Sequence, residues 1–241
     1  MILQGDSKVI LKELKDKSVH LVVTSPPYPM IKKWDELFGK VDFEYQHKQL
    51  DIIWNETYRL LIDGGICCIN IGDATRSIDG NFQCFPNYAR IVMYCMSIGY
   101  TPLIPILWKK ISNRPNAFLG SGMLPPNAYI SQDCEYIIIL RKGKLRKFPP
   151  KDENRYNSKY SQEERNLWFQ QMWNVTGARG AKKTSAFPEE IPYRLISMFS
   201  VIGDVVLDPF SGTGTTGYMA KVLDRKYIGV EINNGHKMPK L

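Results

Sequence analysis

Short apolar runs alternate with segments of helical spacing along most of the chain. Seven apolar runs predict β-strands, at Met1–Gln4, Val19–Val23, Ile66–Ile71, Pro102–Trp108, Glu135–Leu140, Asp204–Leu207 and Tyr227–Glu231. Five segments with apolar residues three or four positions apart predict helices, at Ser7–Lys15, Glu44–Ile62, Phe85–Ile98, Glu189–Val201 and Thr215–Leu223. This alternation of strands and helices favours a mostly parallel, doubly wound α/β sheet.

Two stretches show neither pattern. Residues 109–131 are rich in Pro, Gly and Asn, whereas residues 143–185 are polar and basic with interleaved aromatic side chains. Long stretches of this kind in a compact domain are often functional loops. The 241 residues, of which 44% are hydrophobic, predict a single α/β domain that carries both stretches as long loops or a small insertion.

The formal net charge of +8 favours a polyanionic partner, of which nucleic acid is the usual one. The five cysteines form no Cys-x-x-Cys pair, and the first residues lack the basic and apolar regions of a signal peptide, so a reduced, cytoplasmic chain is predicted. The three histidines have no metal-ligand spacing, and no apolar run has the length of a membrane span. Neither a metal site nor a membrane partner is therefore expected.

The predicted strand Val19–Val23 runs directly into the sequence Thr24-Ser25-Pro26-Pro27-Tyr28. Ligands of open α/β sheets bind outside the carboxyl ends of strands, which is where this loop is expected. Two consecutive prolines fix two φ angles and remove two N–H donors, which leaves carbonyl acceptors beside a hydroxyl and an aromatic ring. Such a loop suits a flat group that bears an NH₂, although on its own the same sequence is more often a proline-stiffened turn.

A glycine-rich loop joins a predicted strand to a predicted helix, with the sequence Asp208-Pro209-Phe210-Ser211-Gly212-Thr213-Gly214-Thr215-Thr216. Glycines at such a junction allow a tight turn and a close approach of a ligand to the backbone. The following strand ends in Glu231, whose carboxylate can accept hydrogen bonds from both hydroxyls of a ribose.

Three interpretations of this glycine loop compete. A P-loop for phosphate is excluded because no lysine follows Gly214. Gly212, Gly214 and Gly217 match a dinucleotide fingerprint, but so little sequence follows Glu231 that a nicotinamide-binding domain would have to be circularly permuted. The remaining interpretation is the adenosyl and methionine moiety of S-adenosylmethionine, which needs the ribose-binding acid but no pyrophosphate site.

Together the two motifs resemble those of the amino-methyltransferases of prokaryotic restriction–modification systems. In that family a Ser/Asn/Asp-Pro-Pro-Tyr/Phe loop is catalytic, and Asp-Pro-Phe-x-Gly-x-Gly-Thr-Thr binds the cofactor. The catalytic motif comes first here, which is the circularly permuted order of the family's β group. The resemblance covers nearly the whole chain and implies a Rossmann-like, doubly wound, seven-stranded mixed sheet of the S-adenosylmethionine-dependent methyltransferase type. It makes residues 1–241 one permuted domain, with 143–185 and the loop 109–131 as a small DNA-recognition insertion.

The resemblance also assigns site residues for an S-adenosyl-L-methionine cofactor and a DNA substrate. The implied catalytic residues are Ser25, Pro26, Pro27 and Tyr28. Gly5-Asp6-Ser7 is similar to the loop whose acid meets the adenine, and Ser185–Pro192 is similar to the segment that closes over the methionine part. The implied cofactor-binding residues are Asp6, Thr24, Phe187, Asp208, Phe210, Ser211, Gly212, Gly214, Thr215 and Glu231.

An exocyclic amine is a poor nucleophile because its lone pair is delocalised into the ring. Ser25 Oγ and the Pro26 carbonyl are expected to accept its two hydrogens and free the lone pair, and positioning supplies much of the acceleration. The base must flip out of the duplex, and Tyr28 would stack on it. The chain lacks the Pro-Cys dipeptide of cytosine-C5 enzymes. Ser at position 25 favours cytosine N4 by resemblance, with adenine N6 as the alternative.

A run of five cations in seven residues favours phosphate contacts along double-stranded DNA. The predicted DNA-binding residues are Arg141, Lys144, Arg146 and Lys147 from this run, together with Lys109, Arg114, Arg179, Lys182 and Lys183. The resemblance implies a cognate restriction endonuclease that shares the DNA site, and the small size of the chain leaves a homodimer open. An RNA or protein methyltransferase, a permuted dinucleotide-dependent oxidoreductase and an inactive nucleic-acid binder remain alternatives.

Overall fold

A mixed β-sheet forms the centre of the structure, a computed structural model that describes residues 1–111, 119–177 and 187–233. In chain order the strands are β1 Ile2–Gln4, β2 Val19–Thr24, β3 Leu61–Ile71, β4 Ala74–Ile78, β5 Asn81–Phe85, β6 Tyr100–Pro102, β7 Ile106–Ile111, β8 Leu119–Gly120, β9 Ala128–Tyr129, β10 Cys134–Lys142, β11 Met172–Thr176, β12 Val205–Asp208 and β13 Lys226–Glu231. Nine of them form the main sheet, in the order β1-β13-β12-β2-β3-β10-β7-β11 with β6 also paired to β10. The pairs β4–β5 and β8–β9 form two small hairpins.

Helices cover both faces of this sheet. They are α1 Ser7–Ile10, α2 Asp35–Phe38, α3 Phe43–Leu60, α4 Asn87–Ser97, α5 Glu153–Asn157, α6 Gln162–Trp168, α7 Glu190–Phe199 and α8 Thr215–Val222. One face packs on α3 and α4 through side chains such as Trp54 and Ile91, and the other packs on α7 and α8 through Ile191 and Ala220. The predicted doubly wound α/β fold with a mixed sheet is confirmed. Within the described ranges, no helix combines the length and apolar composition needed to cross a bilayer.

The strand directions bring several strand ends to one edge of the sheet. β1, β13, β12, β2 and β3 run parallel, and β10 is antiparallel to its neighbours β3 and β7. From β12 the chain continues through α8 to β13, whereas from β2 it continues through α3 to β3 on the opposite side. The boundary between β12 and β2 is therefore the topological switch point, where open α/β sheets bind ligands. Thr24 and Asp208 are the last residues of these two strands.

Several predicted element boundaries were wrong, and two of them have a clear physical cause. The second predicted helix ends earlier than expected, at Leu60, because Leu61 has extended backbone angles and its buried side chain starts β3. The strand predicted over Pro102–Trp108 is split into β6 and β7, since proline lacks the N–H group that a continuous ladder needs and Pro105 lies between them.

Part of the stretch 143–185, predicted to be a long loop or a small insertion, has regular secondary structure. α5 and α6 lie in it, and β11 joins the main sheet parallel to β7. Trp173 and Val175 of β11 are buried, and the residues between and beside them are exposed, which is the two-residue period of a strand. β11 and the split of β6 from β7 raise the strand number of the main sheet from the predicted seven to nine.

Candidate active site

The carboxyl edge of the sheet borders a cavity of about 540 Å³, a volume typical of small-molecule sites. The loop after β2 contributes Ser25, Pro26, Pro27 and Tyr28 to its wall, and the loop after β12 contributes Asp208, Phe210, Ser211, Gly212 and Thr215. Asp6, Phe187 and Glu231 also line it. The fold thus brings the two sequence motifs, which lie far apart in the chain, into one cavity.

Three of the predicted cofactor-binding residues stabilise the loops around the cavity. Thr24 Oγ1 is buried and donates a hydrogen bond to the Asp208 carboxylate at 2.6 Å, which ties the two motifs together. Gly214 has a φ of 82°, in the left-handed region that favours glycine, and α8 begins directly after it. Ser211 Oγ lies 2.8 Å from the Tyr227 hydroxyl, so this side chain fastens the glycine loop to β13.

Asp208 is a buried acid at the switch point. Burial raises the pKa of Asp208 to about 6, and the nearby Glu231 charge acts in the same direction, although hydrogen bonds from Thr24 and from the Phe210 N–H favour the ionised form. A cation placed in the cavity would favour ionisation of Asp208. In the ranges that the structure describes, no group of three or more His, Cys, Asp or Glu side chains is arranged to hold a metal ion.

Glu231 is held in one orientation at the end of β13. Its Oε2 accepts a hydrogen bond from the Gly212 N–H at 2.7 Å, and its Oε1 accepts one from the Asn233 N–H at 2.8 Å. Each carboxylate oxygen has a further lone pair. The side chain can therefore accept two more donors at a fixed spacing, as the vicinal hydroxyls of a ribose would provide.

An apolar wall lies beside these acids. Leu50 and Ile53 of α3 line the cavity together with Phe210, whose ring packs edge-on against Trp54 at a centroid distance of 6.2 Å. Asp6 stands at the rim, where its Oδ1 accepts a hydrogen bond from the Lys8 N–H and begins α1. An apolar surface with a carboxylate at its edge suits a flat heterocycle that carries an amine.

The Ser25 loop belongs to a partly buried hydrogen-bond network that the sequence patterns did not reveal. Ser25 Oγ lies 3.2 Å from the Tyr28 hydroxyl, which lies 2.9 Å from Oε2 of Glu135. Asn70 Nδ2 lies 2.8 Å from both of these partners. Burial, together with the Glu135 charge, raises the pKa of Tyr28 well above its ordinary value, so the phenol stays protonated. The available sequence signal for Asn70 was a polar residue inside the apolar strand Ile66–Ile71.

A second layer of polar contacts holds the same loop from below. Asn87 Nδ2 donates hydrogen bonds to the carbonyls of Pro29 and Gly72, at 3.1 and 3.0 Å. A Cβ atom on Gly72 would lie only 3.2 Å from the Tyr28 ring and 3.3 Å from the Glu135 side chain. Gly72 therefore allows Tyr28 and Glu135 to approach each other.

The basic run Arg141–Lys147 lies at the opposite edge of the sheet from the cavity. β10 is antiparallel to β3, so Glu135 is at the cavity and Arg141 is near the other end of the strand. Arg146 makes two hydrogen bonds to the buried Asp204 carboxylate, at 2.6 and 2.9 Å. This ion pair gives Arg146 a structural partner within the chain, and its predicted phosphate contact stays a prediction.

The remaining predicted DNA-binding residues divide into three groups. Lys109 is half-exposed on β7, next to the cavity residue Lys110, and its Nζ lies 3.8 Å from Asp133. Lys144 and Lys147 are in the basic run at the far edge, as is Arg141. Four predictions lie outside the described residues, namely Arg114, Arg179, Lys182 and Lys183.

A doubly wound α/β sheet with a glycine loop and a ribose-compatible carboxylate at its switch point is typical of nucleoside-binding α/β proteins. A family model described as DNA methylase, of the N6 and N4 type, matches residues 19–238. The chain is 51% identical to the type II methyltransferase M.MjaI of Methanocaldococcus jannaschii, with 98% of this chain and 88% of the relative covered. It is 44% identical to M.MthZI of Methanothermobacter thermautotrophicus, with 94% and 71% covered. The chain therefore belongs to the DNA methylase family of restriction–modification systems, as the motifs indicated.

Solved structures give the same answer for the fold. TTHA0409 of Thermus thermophilus, crystallised with S-adenosyl-L-methionine, superposes with a TM-score of 0.81 at 36% identity, with 98% of this chain and 90% of that chain covered. The PvuII cytosine-N4-specific DNA methyltransferase superposes with a TM-score of 0.69 at 19% identity, with 98% and 82% covered. The latter likeness concerns the fold alone. The predicted methyltransferase type of sheet is confirmed.

Proposed function

We propose that this DNA methylase transfers a methyl group from S-adenosyl-L-methionine to the exocyclic N4 of cytosine in duplex DNA. The observation that carries the proposal is the single cavity that contains both the Ser25–Tyr28 loop and the fixed carboxylate of Glu231. A pocket for an amine-bearing base and a pocket for a nucleoside cofactor are thereby adjacent.

The cavity residues fit S-adenosyl-L-methionine. Glu231 would accept the two ribose hydroxyls, the apolar wall at Leu50, Ile53 and Phe210 would hold the adenine, and Asp6 would accept its amine. Asp208, a buried acid whose pKa is about 6, would be stabilised as an anion by a cationic ligand. When bound, the cofactor supplies an electrophilic methyl group on a positively charged sulfur.

The Ser25 loop would hold the target amine. Ser25 Oγ and the Pro26 carbonyl accept hydrogen bonds from its two N–H groups. These bonds draw the nitrogen towards tetrahedral geometry and localise its lone pair. Tyr28 stacks on the flipped base, a contact worth about 1–3 kcal/mol on comparable single-strand platforms. The prolines keep the acceptors in place, so little reorganisation is needed when the base arrives.

A Ser25→Ala variant tests the role of this loop. We expect it to bind S-adenosyl-L-methionine like the wild type, measured by calorimetry, and to lose tritiated methyl transfer to DNA. Ser97→Ala, at the exposed end of α4, is the matched control and should remain fully active. A Ser25→Ala protein that kept full activity would contradict the mechanism.

Cytosine N4 is proposed over adenine N6 because the family resemblance associates Ser at position 25 with cytosine. Digestion of methylated duplex DNA, followed by separation of the nucleosides, tests the choice. N4-methylcytosine is the expected product, and N6-methyladenine alone would establish the alternative. Transfer to RNA or to protein in a parallel assay would instead redirect the substrate class.

Duplex DNA is proposed to dock on the carboxyl edge of the sheet, because the target base must reach Ser25. Lys109, at the same edge, is positioned for a phosphate contact. The homodimer and the cognate restriction endonuclease remain predictions, which sedimentation of the purified protein and assays for a nuclease of the same DNA site would test.

A further inference from the structure

A series of hydrogen-bonded polar side chains leads from Ser25 to the ion pair between Glu135 and Lys110. Ser25 Oγ lies 3.2 Å from Tyr28 Oη, and Tyr28 Oη lies 2.9 Å from the Glu135 carboxylate. Lys110 Nζ forms an ion pair with the other oxygen of Glu135, whose side chain is 12% exposed. Neither Glu135 nor Lys110 belongs to the two sequence motifs, yet both line the cavity.

The Glu135 carboxylate sets the direction of the hydrogen bonds that link it, through Tyr28, to Ser25. A carboxylate can only accept hydrogen bonds, and the Lys110 ammonium already donates to its other oxygen. The Tyr28 hydroxyl must therefore donate its one hydrogen to Glu135. Its oxygen is then left as an acceptor, so the Ser25 hydroxyl donates to Tyr28.

Asn70 supports the same direction. Its Nδ2 donates one hydrogen to Tyr28 Oη and the other to Glu135, both at 2.8 Å. The reversed amide would place Oδ1 against the carboxylate, where two acceptors repel each other. In the described part of the chain, Oδ1 of this buried Asn70 has no hydrogen-bond partner. Leaving this buried acceptor unpaired costs free energy. The two hydrogen bonds from Nδ2 to Tyr28 and Glu135 offset that cost.

We propose that Glu135 is a positioning residue that acts through Tyr28 to keep Ser25 Oγ a hydrogen-bond acceptor for the target amine. With its own hydrogen committed to Tyr28, Ser25 directs its lone pairs into the cavity. If these hydrogen bonds ran in the opposite direction, Ser25 would present its O–H to the NH₂ group of the target base, and two donors would face each other. The inference rests on the proposed function, because it assigns the direction of hydrogen bonding at the same target-base pocket.

Glu135→Gln is the variant that tests the direction. The neutral amide can donate to Tyr28 as readily as it can accept, so the direction of hydrogen bonding between Ser25 and Tyr28 is no longer fixed. We expect the single-turnover rate of methyl transfer to fall about 10- to 100-fold, the effect of losing a charge-assisted hydrogen bond. Affinity for S-adenosyl-L-methionine should stay close to the wild-type value, and the thermal unfolding midpoint should fall only slightly, because the lost ion-pair partner Lys110 is 45% exposed. The neighbouring variant Asp133→Asn makes the same charge change outside this hydrogen-bond network and should keep the wild-type rate.

A double-mutant cycle with Tyr28→Phe separates the proposed role from a merely structural one. The phenylalanine keeps the stacking ring but removes the hydroxyl through which Glu135 acts. Glu135→Gln should then cause no further loss in the Tyr28→Phe background. Additive losses, or a full rate in Glu135→Gln alone, would overturn the inference while leaving the methyltransferase assignment intact. If the wild type transferred no methyl group to any DNA, the proposed function itself would fail.

Discussion

Two aspartates at opposite ends of β12 show how differently the two edges of one sheet are used. Asp204 directly precedes the strand, and its carboxylate accepts two hydrogen bonds from Arg146 and one from the Val201 N–H. Asp208 ends the strand, and its partners are neutral groups from Thr24 and Phe210. Both side chains are buried, but among the residues that the structure describes only Asp204 has a cation beside it.

The difference indicates which edge is structural and which is functional. At the amino edge the charge on Asp204 is neutralised within the chain, and Arg146 anchors the segment after β10 to the start of β12. At the carboxyl edge burial, together with the nearby Glu231 charge, raises the pKa of Asp208 to about 6, and no cation among the described residues pairs with its ionised form. Substitutions at the two edges should consequently affect different properties, stability on one side and ligand binding on the other.

The largest expected effect is on cofactor affinity at the carboxyl edge. In Glu231→Gln the new amide can no longer accept hydrogen bonds from Gly212, Asn233 and two ribose hydroxyls simultaneously. Because each hydrogen bond to a charged group contributes about 1.5–3 kcal/mol, we expect the dissociation constant for S-adenosyl-L-methionine to rise about 100-fold. Isothermal calorimetry measures it directly.

The opposite end of the same strand provides the control. Asp224 is exposed just before β13, with a φ of 58° that Asn also tolerates, so Asp224→Asn should leave the dissociation constant unchanged. A comparable weakening in both variants would mean that the net charge of the protein, and not the Glu231 geometry, controls affinity.

Stability should respond next most strongly, and at the amino edge. Asp204→Asn removes the charge that pairs with Arg146, so the free energy of unfolding should fall by about 2 kcal/mol, a loss moderated by the partial exposure of Arg146. Urea denaturation monitored by circular dichroism measures the change. Cofactor affinity at 25 °C should not change, and a selective loss of binding without destabilisation would reverse the assignment of this edge.

Sequence patterns predicted the parts of the site that are contiguous in the chain. Ser25–Tyr28 and Asp208–Thr215 each follow directly from a strand, so one local pattern indicates both the residues and their place in the sheet. Glu135 and Asn70 meet them only because β10 pairs with β3 in one register, with Tyr136 opposite Ile71. Register depends on side-chain packing across the whole sheet, and no local pattern encodes it.

The ion pair of Arg146 could not be predicted for a related reason. Arg141–Lys147 is a strong local signal for phosphate binding, but the partner of Arg146 is Asp204, far away in the chain. The polar surroundings likewise concealed β11, whose alternation of buried and exposed residues extends over Met172–Thr176 only. In both cases a contact between distant segments decided the outcome over local composition.

The pH dependence of cofactor binding gives a smaller effect of known direction. Asp208 has a folded pKa of about 6, raised from the ordinary value of 3.8, so the free protein takes up a proton as the pH falls through 6. A cationic cofactor favours the ionised form, and we expect about tenfold weaker binding at pH 5 than at pH 7. Calorimetry at the two values tests this, and Asp208→Asn should abolish the dependence.

The same raised pKa has the opposite consequence for stability of the free protein. Because the folded state holds its Asp208 proton more tightly than the unfolded chain, stability from this group is present below pH 4 and is lost as the pH rises through 6. Asp208→Asn should therefore flatten the stability profile between these values. A wild-type profile without this slope would contradict the assigned pKa.

The smallest expected effect concerns the basic run, and it tests the comparison of the two edges most directly. The double variant Lys144→Glu and Lys147→Glu changes the charge at the edge away from the cavity. Apart from the effect of the altered net charge, DNA affinity should fall less than about twofold, and the salt dependence of binding should stay unchanged. Lys109→Glu, at the cavity edge, should remove one phosphate contact and so reduce the slope of log affinity against log salt concentration by about one. Fluorescence anisotropy with a labelled duplex at several salt concentrations measures both. If the Lys144 and Lys147 changes lowered the slope as much as Lys109→Glu, the duplex would have to contact both edges of the sheet, and the assignment of the amino edge to stability alone would be wrong.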